Sequence, residues 1–234
     1  MKLWEDSPRE VIQFDDLVFS ADVDDALLRA LCNPAVEQNL LLHGPAGTGK
    51  SVACRAIAAA RTKSTTLSEL TQRVRIVNAK SLKERNTISA DALENAAAFS
   101  RFSDDVQSTW IIDEIDFLTE TQQNQVIAAI DKIKDIELPL TILATTNREL
   151  DDKRFDQALI SRFHFKEYVP EIEAKAFVKL AQKYLSNAGL EFDDAEVARD
   201  LEFYALAYLE ATNISFREVR SFVNRAIMTG NLGV

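Results

Sequence analysis

Five short apolar runs, spaced by longer mixed stretches, mark out the first two-thirds of this 234-residue chain. They predict strands near 39–43, 74–78, 109–113, 140–145 and 163–168. Leu40-Leu41-Leu42 and Trp110-Ile111-Ile112 are unbroken rather than alternating. That is the pattern of strands covered on both faces. Helices are expected between them, over about 49–61, 87–102, 119–134 and 155–161. An earlier helix over 22–32 is read from the spacing of Val23, Ala26, Leu27 and Ala30, and Asn33-Pro34 ends it. Strands alternating with helices imply an α/β fold, a parallel sheet with right-handed crossovers and helices on both faces. After Val169-Pro170 the pattern turns helical only, over about 171–188, 194–211 and 215–229. Ile172, Phe177, Leu180, Tyr184 and Leu185 carry the first of these helices, and Asn187-Ala188-Gly189 closes it. The expected division is a three-layer αβα core over 1–168 and a small helical domain over 169–234.

Composition narrows this picture little. Apolar content of 47% and charged content of 27% suit a globular chain that can bury a sizeable core. No apolar run approaches the roughly 20 residues of a membrane span, and the first residues carry no signal-peptide pattern. A cytoplasmic protein with no membrane partner is expected. Cys32 and Cys54 are too few for a disulfide framework, and Cys54 reads as core. His43 and His164 are isolated, so nothing suggests a Cys/His metal site, and His43 reads as strand-end packing. The net charge of −10 gives no general basic field for nucleic acid. Lys80, Lys83 and Arg85 could form a local basic patch, or a solvated face.

The chemistry enters with Gly44-Pro45-Ala46-Gly47-Thr48-Gly49-Lys50-Ser51, which fits the phosphate-loop pattern and joins an apolar strand to an Ala-rich helix. Glycines let the backbone curl so that successive N–H groups point at phosphate oxygens. Lys50 can place a point charge between the β- and γ-phosphates, and the Ser51 hydroxyl can ligate Mg²⁺. The following helix, with Val52 in its first turn, directs its positive end at the same anion. ATP and Mg²⁺ are therefore the expected ligands of a P-loop NTPase core. The guanine-selective Asn-Lys-x-Asp motif is not present in the chain. A second strand ends in Asp113-Glu114-Ile115-Asp116. Ligands bind at the carboxyl ends of parallel strands, where Asp113 would hold Mg²⁺ through its water shell and Glu114 would polarise an attacking water. Asp116 reads as a supporting or capping residue.

The phosphate loop, the acidic strand end and a further strand ending in Ala144-Thr145-Thr146-Asn147 resemble the AAA+ ATPases, over about Phe14 to Ile227. Clamp-loader ATPase subunits are the most similar branch. Gln122-Gln123-Asn124-Gln125 is similar to their Gln-containing helix, and Ser161-Arg162-Phe163 to their Ser-Arg-Cys motif, with Phe in place of Cys. The resemblance implies that Asn147 is a sensor of the water or γ-phosphate. It implies that Arg162 is an arginine finger acting in a neighbour's site, with Arg148 and Arg154 as competitors. Arg217 would reach the γ-phosphate of its own subunit, with Arg220 as the alternative. Val18 and Phe19 would lie near the base, and the 169–234 helices would form the lid. Asn78 is either the polar residue that restrains the catalytic Glu or a plain strand-end Asn.

A homo- or hetero-oligomer is implied, with DNA or a DNA-bound protein as partner. The chain stops soon after the lid, where clamp-loader subunits carry a collar domain, so another mode of assembly, another branch or a shortened chain is expected. The main rivals are a protein-remodelling ATPase and a regulatory nucleotide switch. Ala79 to Asn86 has no aromatic residue and no Gly, which counts against peptide threading.

Overall fold

The computed structural model describes residues 10–19, 23–82, 109–135, 139–171 and 173–187, with 219, 221, 223–225 and 228. Arg217, Arg220, Lys83 and Arg85 lie outside these residues, as do the helices expected near 87–102, over 194–211 and over most of 215–229.

The sheet is built from β1 (Leu40–His43), β2 (Arg75–Asn78), β3 (Thr109–Asp113), β4 (Thr141–Thr146) and β5 (Phe165–Tyr168), in the order β2-β3-β4-β1-β5. Every pairing is parallel. β3 and β4 are buried along their whole length, whereas the edge strands β2 and β5 are partly exposed. The unbroken apolar runs thus mark the interior of the sheet, and the mixed runs mark its edges.

Helices α1 (Asp25–Leu31), α2 (Lys50–Thr62), α3 (Leu67–Arg73) and α4 (Ala79–Leu82) precede β3. Helices α5 (Glu120–Asp135), α6 (Gln157–Ser161) and α7 (Ala174–Asn187) follow it. One face of the sheet presents Trp110, Ile112, Ile142 and Ala144 to Val126, Ala129, Ile130 and Ile133 of α5 and to Leu159 and Ile160 of α6. Side chains alternate across a strand, so Ile111 and Leu143, also buried, face the other side. Helix α2 touches β3 and β4 as well, and its Ala53, Ala56, Ile57 and Ala59 are buried. Helices on both faces of a parallel sheet make the three-layer αβα core of the P-loop NTPase fold.

Local chemistry sets the element ends. Helix α1 begins at Asp25 rather than 22 because the Asp24 carboxylate accepts from Leu27 N–H and caps it. Strand β5 begins at Phe165 rather than 163. Phe163 is packed in the core, and His164 Nδ1 accepts the Asn39 N–H. Helix α3 is an addition to the expected elements. Thr66 Oγ1 accepts from Glu69 N–H, and the Glu69 carboxylate accepts from Thr66 N–H, which closes a capping box.

Two compact units divide the chain. One holds residues 24–44 and 50–168 with the N-terminal segment to Leu17. The other holds Val18–Val23, Pro45–Gly49 and Val169–Val234. In the second, α7 buries Ala176, Phe177, Leu180, Ala181 and Leu185 along one stripe, the apolar face of an amphipathic helix.

Candidate active site at the carboxyl ends of the strands

In-register pairing sets Asn78 beside Asp113, and His43 beside Thr146 and Tyr168. The end of β1 and the acidic end of β3 therefore lie at the carboxyl edge of one sheet. Gly44, Gly47 and Gly49 have φ of 130°, 83° and 88°. At Gly47 and Gly49 these values place the chain in the left-handed region, where a Cβ would crowd the backbone. Thr48 Oγ1 donates to Pro45 O at 3.1 Å and ties the loop to itself. Pro45 and Gly47 are half-buried, Ala46 is exposed, and Val52 is exposed on the first turn of α2. Val18 is buried and Phe19 half-buried, and both fall in the same unit as Pro45–Gly49.

Lys50 opens α2 at 5% exposure and donates from Nζ to Gly44 O at 2.8 Å. Burial lowers its ammonium to about 8, and the charges of Asp113 and Asp116 oppose that fall. One residue on, Ser51 Oγ donates to Asp113 Oδ1 at 2.6 Å. A hydroxyl and a carboxylate, both hard oxygen donors, thus meet beside a lysine. This donor set fits a Mg²⁺ ion that keeps several waters and leans on phosphate oxygens. Among the described residues no group of three His, Cys, Asp or Glu side chains could form an all-protein metal cage.

Glu114 has φ 57° and ψ 51°, a left-handed conformation for a residue with a Cβ. Such a residue costs roughly 1–3 kcal/mol unless its surroundings hold it. Its N–H donates to Thr145 Oγ1 at 3.0 Å, and Asn78 Nδ2 donates to its carboxylate at 3.4 Å. Asn78 thus contacts the Glu, as one of its two sequence readings required. Asp116 is buried and accepts from Thr146 Oγ1 at 3.0 Å. Arg148 lies 3.7 Å from Asp116 and 3.5 Å from Asp152, so its guanidinium has carboxylates within its own chain. Asn147 follows β4 directly and is exposed. Lys80 sits over the Phe117 ring at 5.3 Å.

Arg162 caps the C-terminus of α6, away from these carboxylates in sequence and in partners. Its Nε and Nη2 bond the two Asp131 oxygens at 3.1 and 2.7 Å, a two-pronged pair with α5. The Arg162 carbonyl accepts from Asn39 Nδ2 at 3.0 Å. Gln123 links the two halves. Its Nε2 donates to Leu118 O and Arg154 O, and its Oε1 accepts from Asp156 N–H, the cap of α6. The acidic turn and the Arg162 helix are thereby joined through one buried amide.

Thr145, Thr146 and Asp131 were not among the residues expected at the site. A hydroxyl run at the end of a buried strand was the available signal. Their partners lie about thirty residues away, beyond the reach of spacing arguments.

A strand, a glycine-bent loop, a helix opened by a buried lysine, and an acidic neighbouring strand define a P-loop NTPase. Residues 40–171, more than half of the chain, match the family described as ATPase family associated with various cellular activities (AAA), and the chain belongs to that family. No curated protein matches the chain.

Solved structures do match. The Thermotoga maritima RuvB Holliday junction branch migration motor is 21% identical at TM-score 0.56, over 80% of this chain and 57% of that one. Domain III of the T. maritima replication initiation protein DnaA is 17% identical at TM-score 0.64, over 94% and 90% of the two chains. AMPPCP-bound DnaA from Aquifex aeolicus is 16% identical at TM-score 0.65, over 95% and 67%. The chain thus spans little more than half of the RuvB length, and identities this low speak for the fold alone.

Proposed function

We propose that this chain hydrolyses ATP, with Mg²⁺, at a site completed by a neighbouring subunit, and that the reaction drives a conformational change in DNA metabolism. The observation that carries the reading is the 2.6 Å bond from Ser51 Oγ to Asp113 Oδ1, where the phosphate loop meets the acidic strand. Mg²⁺ would be held by Ser51 and, through water, by Asp113, and supplies positive charge against the β- and γ-phosphates. Lys50 and the loop N–H groups would bind the phosphates, with Val52 beside them and Val18 and Phe19 against the base. Glu114 would orient a water and take its proton as the water oxygen bonds the γ-phosphorus and the bond to ADP breaks. Asn78 would restrain Glu114, and Asn147 would contact the water or the γ-phosphate. Arg162 of an adjacent subunit would stabilise charge on the transferred group, and Arg217, from a lid over 169–234, would reach the γ-phosphate of its own subunit.

A clamp-loader-like or other DNA-associated loader is the form of this function we favour. The Gln123 link between the acidic turn and the Arg162 helix supports it, because it gives an interface arginine a route to the water-activating residue. The branch migration motor and the replication initiators among the structural neighbours support the DNA setting. The net charge of −10 favours a DNA-bound protein over bare DNA as the direct partner. We place the protein in the cytoplasm, where ATP is supplied, and among the described residues no helix is long and apolar enough to cross a membrane.

The test is Mg-ATP turnover by the purified chain and by Glu114→Gln. The variant should bind ATP and lose turnover by about a hundredfold or more, the scale of general-base catalysis. Near-normal turnover in Glu114→Gln overturns the assignment. Stimulation by DNA supports the loader form, and stimulation by a folded protein alone moves the function to remodelling or regulation.

A further inference from the structure

Thr145 lies on β4 at 2% exposure and contacts both Asp113, the last residue of β3, and Glu114, which follows it. Its Oγ1 donates to Asp113 Oδ1 at 2.5 Å and accepts the Glu114 N–H at 3.0 Å. A hydroxyl has one proton to give, so these two contacts fix its rotor in a single sense. The Asp113 oxygen that Thr145 holds is the one Ser51 reaches. Glu114, whose N–H Thr145 holds, has one of the two positive-φ non-glycine backbones among the described residues. The parallel register explains the placement. Ile112 pairs with Ala144, so the next residue on each strand, Asp113 and Thr145, emerge side by side at the carboxyl edge.

We infer that Thr145 is a positioning residue for ATP hydrolysis, its single hydroxyl setting the Asp113 carboxylate and the bent Glu114 backbone together. This rests on the hydrolytic reading above. Thr145 touches neither phosphate nor water in this scheme; it acts through its two neighbours. Loss of the hydroxyl frees Asp113 to rotate and leaves the Glu114 N–H without its acceptor inside the protein. Both metal retention and water activation then suffer from one change.

The experiment compares Thr145→Val, which keeps the shape and removes the hydroxyl, with Thr145→Ser, which keeps the hydroxyl. Thr145→Val should lower kcat by about 10- to 100-fold, the usual cost of removing a group that orients a metal-binding residue. It should raise the Mg²⁺ concentration needed for half-maximal turnover and leave the ATP KM within about threefold. Thr145→Ser should recover most of the loss. In the nucleotide-free protein the Glu114 amide should exchange with solvent faster in Thr145→Val than in wild type or Thr145→Ser, because its acceptor has gone.

Equal turnover in Thr145→Val and wild type overturns the inference, and so does a Thr145→Ser as impaired as Thr145→Val. If Thr145→Val does not fold, Thr145→Ser against Thr145→Ala decides on the same readouts. A wild-type chain that binds but does not hydrolyse ATP sinks the hydrolytic reading itself. The amide exchange then still decides whether Thr145 holds Glu114, and unchanged exchange rejects it.

Discussion

Lys50 shows how burial and charge combine in one side chain. It is nearly enclosed, its Nζ donates to Gly44 O, and its ammonium is lowered to about 8 by burial. In the nucleotide-free protein it is therefore half-deprotonated near pH 8, whereas the unfolded chain holds the proton to about 10.5. Between these values the unfolded state binds more protons, so this group's contribution to stability rises with pH. Phosphate binding works the other way, because the anion favours the charged lysine and draws a proton in. ATP affinity should thus fall by about tenfold for each pH unit above 8. Calorimetry in buffers of different ionisation heat should register proton uptake on binding near pH 8 to 9. Lys50→Met should bind weakly and show no such slope; an equal slope in the variant would remove Lys50 as its source. The phosphate loop, Asp113 and Glu114 were legible because each rests on residues close together in the chain. Thr145, Gln123 and Asp131 were not assigned these roles, because each matters only through a partner brought near by strand register or helix packing. Arg61 is the extreme case. Near the end of α2, it is 4% exposed and donates to the carbonyls of Leu31, Asn33, Pro34 and Val36.

Helices α5 and α6 link the acidic turn to Arg162, and Phe163 shares one buried cluster with both of them. It is 1% exposed in the cluster that joins β3 and β4 to both helices. A Phe where the resembling family has Cys adds buried apolar volume directly after Arg162. Phe163→Ala should destabilise the chain by about 3–5 kcal/mol, measured by denaturant unfolding, through lost transfer energy and the cavity left behind. A loss under about 1 kcal/mol would mean that the core closes over the gap. Gln123 orients the same pair of helices without apolar burial, since three backbone groups around it have their bonds through one amide. The described strands and the long helices were readable from apolar runs to within a few residues at each end. Caps decide the ends: Asp24 for α1, Thr66 with Glu69 for α3, Asp156 for α6. The Thr66-Leu67-Ser68-Glu69 spacing is a readable capping signal, but α3 has only seven residues and a weak apolar stripe, so periodicity does not mark it. Strand order was not readable at all, since an alternation of strands and helices is compatible with several sheet orders.

Assembly is the property of the molecule that hydrolysis would depend on most. Within one chain Arg162 is bound by Asp131, a partner that is 46% exposed. The two charges hold each other, raising the guanidinium and lowering the carboxyl from their ordinary values. An exposed pair of this kind is weak and screened by salt, so a phosphate in a neighbouring site can compete for the arginine. If Arg162 acts in trans, Glu114→Gln lacks its own water-activating group but still offers an arginine. Arg162→Ala lacks the arginine but keeps an intact site. Each variant alone should be nearly inactive, whereas a mixture should recover part of the wild-type turnover, because mixed neighbours rebuild one complete site. Recovery should peak near equal amounts and grow with total protein concentration. Asp131→Asn in the wild-type background should lower the concentration at half-maximal turnover by up to about fivefold, since the arginine no longer leaves a charged partner. That difference should shrink at high salt. A mixture no more active than its components would place Arg162 outside the neighbour's site, and turnover independent of concentration would make the single chain a complete enzyme.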